Sequence, residues 1–430
     1  MLAAVVFLLF ILLLLLSVPI SATLTMVSLA PTILNPNFTV SAEYVIRSMF
    51  GGIDSFPLLA VPMFVLSGVL MAKGGVSKKI FDIFCYFIGD KTAGMPCAVI
   101  ITCLFYGAIS GSAPATVAAV GSMTIPLLIR MGYDKEFVTA IVAVAGGLGV
   151  IIPPSIPFIL YAMASGASVS KMFMAGVLPG ILIAGLLMIY AIYYCKKHAE
   201  DKDKIREEVN ALHIKGFKHI FFDSFWALLT PVIILGCIYS GVASPTEAGV
   251  ISVFYAFVIS VFVYKTLTLK DIYKICVESI RTYAPILFIL AASVAFSRII
   301  TILQIPDTAA DLILNTVHGR VAILLVVNIL LLLVGMVMDT SPAILILTPI
   351  LLPIVNSVGL DPVHFGIIMV VNLAIGFVTP PIGINLFVAS SLTDVPVMKI
   401  AKKAFPLIIF FLIALLLITF IPSISLALVH

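Results

Sequence analysis

Long apolar runs alternate with short polar breaks along the chain. Apolar runs of about 18 residues or more recur throughout, and an α-helix of that length crosses roughly 30 Å of hydrocarbon. Two breaks fall close together within one apolar region, at residues 339–342 and 376–385. Irregular backbone survives inside hydrocarbon only where protein or a water-filled cavity satisfies its polar groups. The pattern therefore predicts membrane helices that are interrupted at a buried polar site.

Composition supports this reading and excludes several function classes. Of the 430 residues, 62% are hydrophobic and 10% are charged, which excludes a soluble domain of this size. The Lys and Arg cluster between the apolar runs, so the net charge of +4 reflects loop topology and does not indicate nucleic-acid binding. The fold class predicted is an all-α polytopic membrane protein.

The second half of the chain repeats the first at a shift of about 227 residues, a pattern typical of transporters. The shift aligns Pro153 and Pro154 with Pro380 and Pro381. Residues 31–44 contain no Lys or Arg, whereas their counterpart, 264–274, contains three Lys. The bias reverses further along, with three Lys in 72–79 and none in 300–309. Because basic loops stay cytoplasmic, the two copies are predicted to be inverted.

Each copy is predicted to contain one re-entrant hairpin and one broken helix. We expect hairpins over residues 96–130 and 321–359, and broken helices over residues 137–165 and 364–393. A helical rise of about 1.5 Å per residue brings each hairpin tip to a depth similar to that of the neighbouring helix break. Each tip is therefore expected to meet a break near the membrane midplane.

The domain prediction follows from this repeat. Scaffold helices, an interfacial arm, a hairpin and a broken helix form the first repeat over residues 1–195, a cytoplasmic linker covers residues 196–223, and the second repeat covers residues 224–430. The linker is assigned to the cytoplasm because residues 195–222 carry seven Lys and Arg. The sequence leaves open whether residues 2–30 form one long helix or a bent one.

Hairpin tips and helix breaks leave backbone C=O and N–H groups without helical partners. The carbonyls are accompanied by the hydroxyls of Ser110, Ser112, Thr340 and Thr379. Such oxygens carry little formal charge, which favours Na⁺ over Ca²⁺. Helix N-termini favour a carboxylate. We therefore expect a cation at each hairpin and an organic anion between them.

Individual polar residues have alternative roles. Asp339 either ligates the cation or caps the following half-helix. Arg298 either pairs with a substrate carboxylate or extends to the membrane interface. Glu247 follows a Pro-Thr pair at a predicted helix start, where a structural cap is favoured. We expect the substrate to contact Ser155, Arg298, Asn385 and Thr116.

Several motifs resemble the large membrane subunit of tripartite ATP-independent periplasmic (TRAP) transporters, of the DctM or SiaM type. They are GSAPATVAAVGSMTIP, GVIIPPSIPF, SPTEAG, MDTSPAILILTPILLPI and VNLAIGFVTPPIGINLFVASS. The resemblance covers nearly the whole chain. It implies a secondary symporter of the bacterial inner membrane, coupled to a sodium gradient and built as an elevator with a scaffold and a moving transport domain.

The resemblance also implies partners, substrates and sites. A small four-helix membrane subunit would accompany the chain in the bilayer, and a periplasmic binding protein would deliver the solute. The substrate would be an organic acid such as sialic acid or a C4-dicarboxylate. By motif, one Na⁺ site would comprise Ser110, Gly111, Ser112, Ala113, Gly149, Ile152 and Pro153. The other would comprise Asp339, Thr340, Ser341, Gly376, Thr379 and Pro380.

Three other functions are weighed against this one. A stand-alone dicarboxylate/Na⁺ symporter of related fold would need no partner subunits. An ion channel would need a continuous polar path, whereas polarity here is confined to two patches. An enzyme is not predicted, because the sequence contains neither HExxH nor a Ser and His pair at a common depth. The sequence also lacks a GxxxxGK[ST] loop, so no nucleotide is expected as a cofactor.

Overall fold

The computed structural model describes residues 2–35, 38, 40–198 and 200–429, and these residues form helices and turns without a strand. The ends of the two predicted repeats, residues 1 and 430, lie outside the described residues. So do residues 36, 37 and 39 in the Lys-free stretch and residue 199 in the predicted linker. The predicted all-α class is confirmed for the part of the chain that is described.

The helices are numbered in chain order. The first half contains α1 (Leu2–Leu15), α2 (Ile20–Leu34), α3 (Ala42–Ile53), α4 (Ala60–Lys73), α5 (Val76–Ile88), α6 (Gly94–Ser110), α7 (Ala113–Arg130), α8 (Lys135–Ala145), α9 (Ile156–Ser165) and α10 (Val169–Lys197). The second half contains α11 (Lys202–Lys215), α12 (Phe217–Tyr239), α13 (Pro245–Val258), α14 (Leu269–Ile302), α15 (Ile305–Thr316), α16 (Arg320–Gly335), α17 (Thr340–Ser357), α18 (Pro362–Gly376), α19 (Ile384–Thr393), α20 (Val397–Phe420) and α21 (Ser423–Leu426).

Eight helical segments among the described residues are long and apolar enough to cross a membrane. They are α4 with the preceding turn (Phe56–Lys73), α7, α10, α12, α13 extended to Val263, α14, α17 and α20. Further apolar helices of 10–17 residues include α2, α6, α9, α16, α18 and α19. The chain is therefore polytopic, with several helices that are shorter than a full crossing.

The N-terminal stretch forms two helices rather than one. Ser17 adopts a left-handed conformation with φ 58°, which ends the helical path after α1. Pro19 then precedes α2 at its N-cap position. Because proline lacks an N–H group and clashes with a preceding helical turn, it favours a helix start at this point. The choice that the sequence left open is thus resolved as α1 followed by α2.

The interruptions lie where Gly and Pro cluster. Helix α6 ends at Gly111, which has φ +61°, and extended Ser112 precedes α7. Helix α8 runs into a 3₁₀ turn over Gly146–Val150 before α9 begins. In the second half, α16 and α17 are separated by four residues, and α18 and α19 by a turn that contains prolines 380 and 381. The predicted hairpins and broken helices coincide with these helix pairs, while their re-entrant and inverted arrangement stays a prediction.

The helices pack in two groups, which we name by their members. The frame consists of α2, α3, α4, α12, α13 and α14, in which α14 contacts α2, α3 and α4. The bundle consists of α6 to α10 and α16 to α20, in which the interrupted helices contact one another. Frame helices approach closely: a Cβ atom added to Gly52 of α3 would lie 2.7 Å from the Cβ of Val294 of α14. Helix α14 also contacts α17 and so joins frame to bundle.

The predicted linker contains α11 and is anchored to the bundle by Glu200. The Glu200 side chain is 3% exposed. It accepts hydrogen bonds from the backbone N–H of Ala93, at 3.1 Å, and from the Tyr133 hydroxyl, at 2.6 Å. Burial and the hydrogen bond to Glu200 raise the pKa of the Tyr133 phenol. The carboxylate therefore joins the start of the linker to the segments that flank α6 and α7.

Replacing Glu200 with Ala should destabilise the protein, because Ala93 N–H and the Tyr133 hydroxyl would lose their acceptor. Leaving buried donors unpaired costs about 1–3 kcal/mol in the free energy of unfolding. Thermal unfolding of the detergent-purified protein measures the effect as a lower Tm. Glu207→Ala, at an exposed position of α11, is the control. Equal Tm values for the two variants would contradict the anchoring role of Glu200.

Candidate functional site

In the first half of the chain, the turn between α6 and α7 packs directly onto the break between α8 and α9. A Cβ atom added to Gly149, in the break between α8 and α9, would lie 2.4 Å from the Thr116 hydroxyl and 2.7 Å from the Ser112 carbonyl oxygen. The Ile156 N–H donates to the Gly111 carbonyl oxygen at 3.4 Å. Only glycine allows the break to approach the turn this closely. The structure thus brings the turn between α6 and α7 against the break between α8 and α9.

Hydroxyl and carbonyl oxygens gather at this turn. The Ser110 and Thr116 hydroxyls lie 2.9 Å apart, and Thr116 also donates to the Ser112 carbonyl oxygen at 2.9 Å. Ser110 and Thr116 are buried. Thr116 was predicted as a substrate contact, and the structure places it among the oxygens of the first predicted cation site. These oxygens carry no formal charge, which fits the donor set expected for a monovalent cation.

The remaining residues of the first predicted site line the break. Ala113, Gly149, Ile152 and Pro153 are all buried. Ser155, predicted as a substrate contact, caps α9: its hydroxyl donates to the Val150 carbonyl oxygen at 2.6 Å and accepts from the Phe158 N–H at 3.4 Å. The Ser155 side chain therefore satisfies backbone groups of the break itself.

The second pair of interruptions packs in the same manner. A Cβ atom added to Gly376 would lie 2.3 Å from the carbonyl oxygen of Gly335. The Ile382 N–H donates to the Met336 carbonyl oxygen at 3.3 Å. The Thr379 hydroxyl donates to the carbonyl oxygen of Ile375, one turn earlier, at 2.8 Å. The turn between α16 and α17 is thereby held against the break between α18 and α19.

Asp339 stands at the start of α17. It occupies the N-cap position, and its carboxylate lies beside the N–H groups of Thr340 and Ser341 without a capping hydrogen bond of standard geometry. Thr340 and Ser341 are buried, while Asp339 is partly exposed. Pro380, the last member of the second predicted site, is also partly exposed. The position is that of a helix N-cap, and the role of Asp339 as a cation ligand stays a prediction.

Asn385 connects the two breaks. Its side-chain N–H group donates to the Ala143 carbonyl oxygen of α8 at 3.0 Å, across 242 residues of sequence. Its side-chain oxygen is buried and has no hydrogen-bond partner among the described residues. The contact joins α19 to α8, so both breaks belong to one packed unit.

The sequence analysis missed a buried pair of asparagine side chains. The Asn372 side-chain N–H of α18 donates to the Asn328 side-chain oxygen of α16 at 2.7 Å, and Asn328 approaches the Thr419 hydroxyl of α20 at 3.4 Å. All three residues are buried. A single Asn within an apolar run is the signal that could have indicated them. They join the second hairpin to its neighbours.

A cavity of about 420 Å³ separates the turn between α6 and α7 from the frame. Ser110 and Ser112 line it on the bundle side, and Lys73, Glu278 and Thr282 line it on the frame side. Lys73 and Glu278 form an ion pair across α4 and α14. We call this space the inner cavity. Thr116, Ser155 and Asn385 lie in the bundle, whereas Arg298 lies on the frame at a different cavity, so the structure does not bring the four predicted substrate residues together.

Replacing Gly149 with Ala should destabilise the contact between turn and break. The added methyl group would overlap the Thr116 hydroxyl and the Ser112 carbonyl oxygen, and overpacking costs about 1–3 kcal/mol in the free energy of unfolding. Thermal unfolding in detergent should show a lower Tm. Gly185→Ala in α10 is the matched control, since no atom lies within 4 Å of the added Cβ. A Gly149→Ala variant as stable as Gly185→Ala would contradict the close packing.

The chain matches known proteins over nearly its whole length. Residues 7–424 match the family described as "Tripartite ATP-independent periplasmic transporter, DctM component". The C4-dicarboxylate TRAP transporter large permease protein DctM of Pseudomonas aeruginosa is 41% identical over 88% of this chain and 88% of its own length. The sialic acid TRAP transporter large permease protein SiaM of Vibrio cholerae is 34% identical over 95% of this chain and 94% of its own.

A further relative is longer than this chain. The isethionate TRAP transporter permease protein DctMQ of Oleidesulfovibrio alaskensis is 45% identical over 96% of this chain, which spans 64% of that relative's length. The fold resembles that of the YdaH transporter of Alcanivorax borkumensis, with a TM-score of 0.63 and 14% identity over 98% of this chain and 99% of that one. With eight candidate spans among its described residues and TRAP permease relatives, the chain is a multi-pass inner-membrane protein. It belongs to the DctM family of TRAP transporter large permease proteins.

Proposed function

We propose that the chain is the membrane permease of a Na⁺-coupled symporter that imports an organic acid anion. The observation that carries this proposal is the packing of two hairpin turns onto two helix breaks within one unit, with uncharged oxygens gathered at the first. A periplasmic binding protein would deliver the substrate, and a small four-helix membrane subunit would complete the permease.

The cation sites in this proposal follow the turns and breaks. Ser110, Ser112 and Thr116 supply hydroxyl and carbonyl oxygens at the first site. Asp339 and Thr379 supply side-chain oxygens at the second, where one carboxylate would neutralise one bound Na⁺. Carbonyl groups at the ends of α6 and of the 3₁₀ turn before α9 add ligands, because the last carbonyls of a helix lack helical partners. Two Na⁺ ions are therefore proposed.

The substrate would bind in the inner cavity. Its volume of about 420 Å³ falls in the range of roughly 300–1,000 Å³ that is usual for small-molecule sites. The first turn of α7 borders it through Ala115, and the positive end of the helix dipole favours an anionic group there. Relatives of this chain are named for C4-dicarboxylate, sialic acid, isethionate and 2,3-diketo-L-gulonate, which supports an organic acid as the substrate class.

The movement proposed is that of an elevator, in which the bundle shifts against the frame. Two features support it: the bundle holds both turns and both breaks, and cavities separate it from the frame at two levels. The internal repeat and the opposite charge bias of its copies support an inverted arrangement, which allows the unit to open to either side in turn. A channel would instead require a continuous polar path.

Substitutions at the second cation site should weaken sodium activation. Asp339→Ala removes a carboxylate and Thr379→Ala a hydroxyl, so the Na⁺ concentration for half-maximal uptake should rise by about tenfold, the equivalent of about 1.4 kcal/mol. Uptake into proteoliposomes across a series of Na⁺ gradients measures this. Ser391→Ala, an exposed hydroxyl bonded within its own helix, is the control. Unchanged sodium activation in both variants would count against the second site.

Uptake should require the partner proteins. Proteoliposomes that contain this chain with the small subunit, the binding protein and a Na⁺ gradient should accumulate the organic acid with saturable kinetics. Omitting the binding protein or the small subunit should abolish uptake. Equal uptake by this chain alone would replace the tripartite proposal with a stand-alone symporter, and non-saturable flux would indicate a channel.

A further inference from the structure

We propose that a second cavity, beside Arg298, is an outer binding site for the anionic group of the substrate. The proposal rests on the proposed function, which supplies the organic acid anion, and it adds a site distinct from the inner cavity. Its ligand chemistry is a carboxylate or sulfonate group on a small organic molecule. We call this space the outer cavity.

The outer cavity lies between elements of the frame and the bundle. It has a volume of about 510 Å³ and is bordered by α3 and the turn that follows it, by the end of α9 with the turn after it, and by α14. Ser55, Ser293, Ser297 and Arg298 supply its polar wall. Leu345 of α17 closes one side. A small organic acid therefore has room beside one cation and three hydroxyl groups.

Arg298 is a cation without an acidic partner among the described residues. One guanidinium nitrogen donates to the hydroxyl of Ser48, which is buried in α3, at 3.1 Å. This bond holds the side chain in place, and a guanidinium has five N–H donors, so further donors stay available. Because Arg298 is exposed, the cavity opens at the surface. A planar carboxylate or a sulfonate matches such a donor group.

Ser293 is a second, independent indication of a ligand. Its side chain is 1% exposed, and its hydroxyl has no hydrogen-bond partner among the described residues. Buried hydroxyl groups are paired in the great majority of proteins, so an unpaired one asks for an explanation. Ser293 borders the outer cavity, about one and a half turns before Arg298 on the same helix. The unpaired hydroxyl thus lies in the wall of the cavity that Arg298 also borders.

Helix α14 relates the two cavities to each other. Glu278, Thr282 and Ile286 border the inner cavity. Leu290, Ser293 and Ser297 follow along the same helix and border the outer one. At the inner end the acidic residue Glu278 is neutralised by Lys73, whereas at the outer end Arg298 has a net positive charge. The outer cavity therefore attracts an anion through an unpaired cation. The inner cavity has no such cation among its described lining residues.

The test uses a cysteine as a reporter of the potential in the outer cavity. Ser297→Cys is introduced into the full chain with Cys237→Ala and Cys276→Ala, since the other four cysteines are buried. The detergent-purified protein is treated with an anionic methanethiosulfonate, bearing a sulfonate group, and with a cationic one, bearing a trimethylammonium group. The ratio of the two modification rates reports the local charge. Matching size-exclusion profiles verify that each variant is folded.

We expect the anionic reagent to react faster, and Arg298→Gln to lower the anionic-to-cationic rate ratio by about tenfold, as local fields change encounter rates by about 10-fold to 1,000-fold. Arg298→Lys should retain most of the ratio. Arg47→Gln is the control, because Arg47 is exposed and already paired with Glu43. An unchanged ratio in Arg298→Gln, or no reaction of Ser297→Cys with either reagent, would overturn the proposal.

Protection tests the ligand itself. Succinate or isethionate should slow modification of Ser297→Cys in the Arg298 background and not in Arg298→Gln, in buffer without Na⁺. Absence of protection by both anions would overturn the outer site. The measurement involves no transport, no gradient and no partner subunit, so protection that persists while Na⁺-dependent uptake fails would reject the proposed function and leave the outer site standing.

Discussion

The structure depends on how interrupted helices satisfy their backbone in an apolar environment. Each interruption leaves polar groups that lipid cannot pair. Here each break donates to a turn: the Ile156 N–H donates to the Gly111 carbonyl oxygen, and the Ile382 N–H donates to the Met336 carbonyl oxygen. These hydrogen bonds require the backbone of the break to touch the backbone of the turn, which Gly149 and Gly376 permit because they have no side chain. The oxygens that gather at the turns are thus a consequence of the same packing that makes the interruptions tolerable.

Helix α14 borders both cavities on the frame side. It contacts α2, α3 and α4 in the frame and α17 in the bundle, and one side of it borders both cavities. Its polar residues change along its length, from an ion pair with Lys73 to hydroxyls and then to Arg298. A single helix therefore presents different chemistry to the two cavities.

The sequence predicted the family and the helical membrane class, which are confirmed, and it located the interruptions, because Gly and Pro act locally on the backbone. It could not predict which side chains meet across long separations. The Thr116 hydroxyl lies 2.9 Å from that of Ser110, and the Asn385 side chain donates to the Ala143 carbonyl oxygen in the other half of the chain. Glu200 looked like one charge in a basic linker, yet it is buried against Tyr133. Such pairings arise from tertiary packing, on which local patterns carry no information. The assignments of Na⁺ ligands and the inverted arrangement stay predictions.

The bond from Asn385 to Ala143 has a mechanical consequence. It spans the two halves of the chain at the level of both breaks, with one end in α19 and the other in α8. A displacement of either break must carry the other along or break the buried hydrogen bond from the Asn385 side chain to the Ala143 carbonyl oxygen. Breaking such a bond costs about 1–3 kcal/mol. If the turns bind cations as proposed, a cation bound at one turn would therefore influence the other turn through this shared packing.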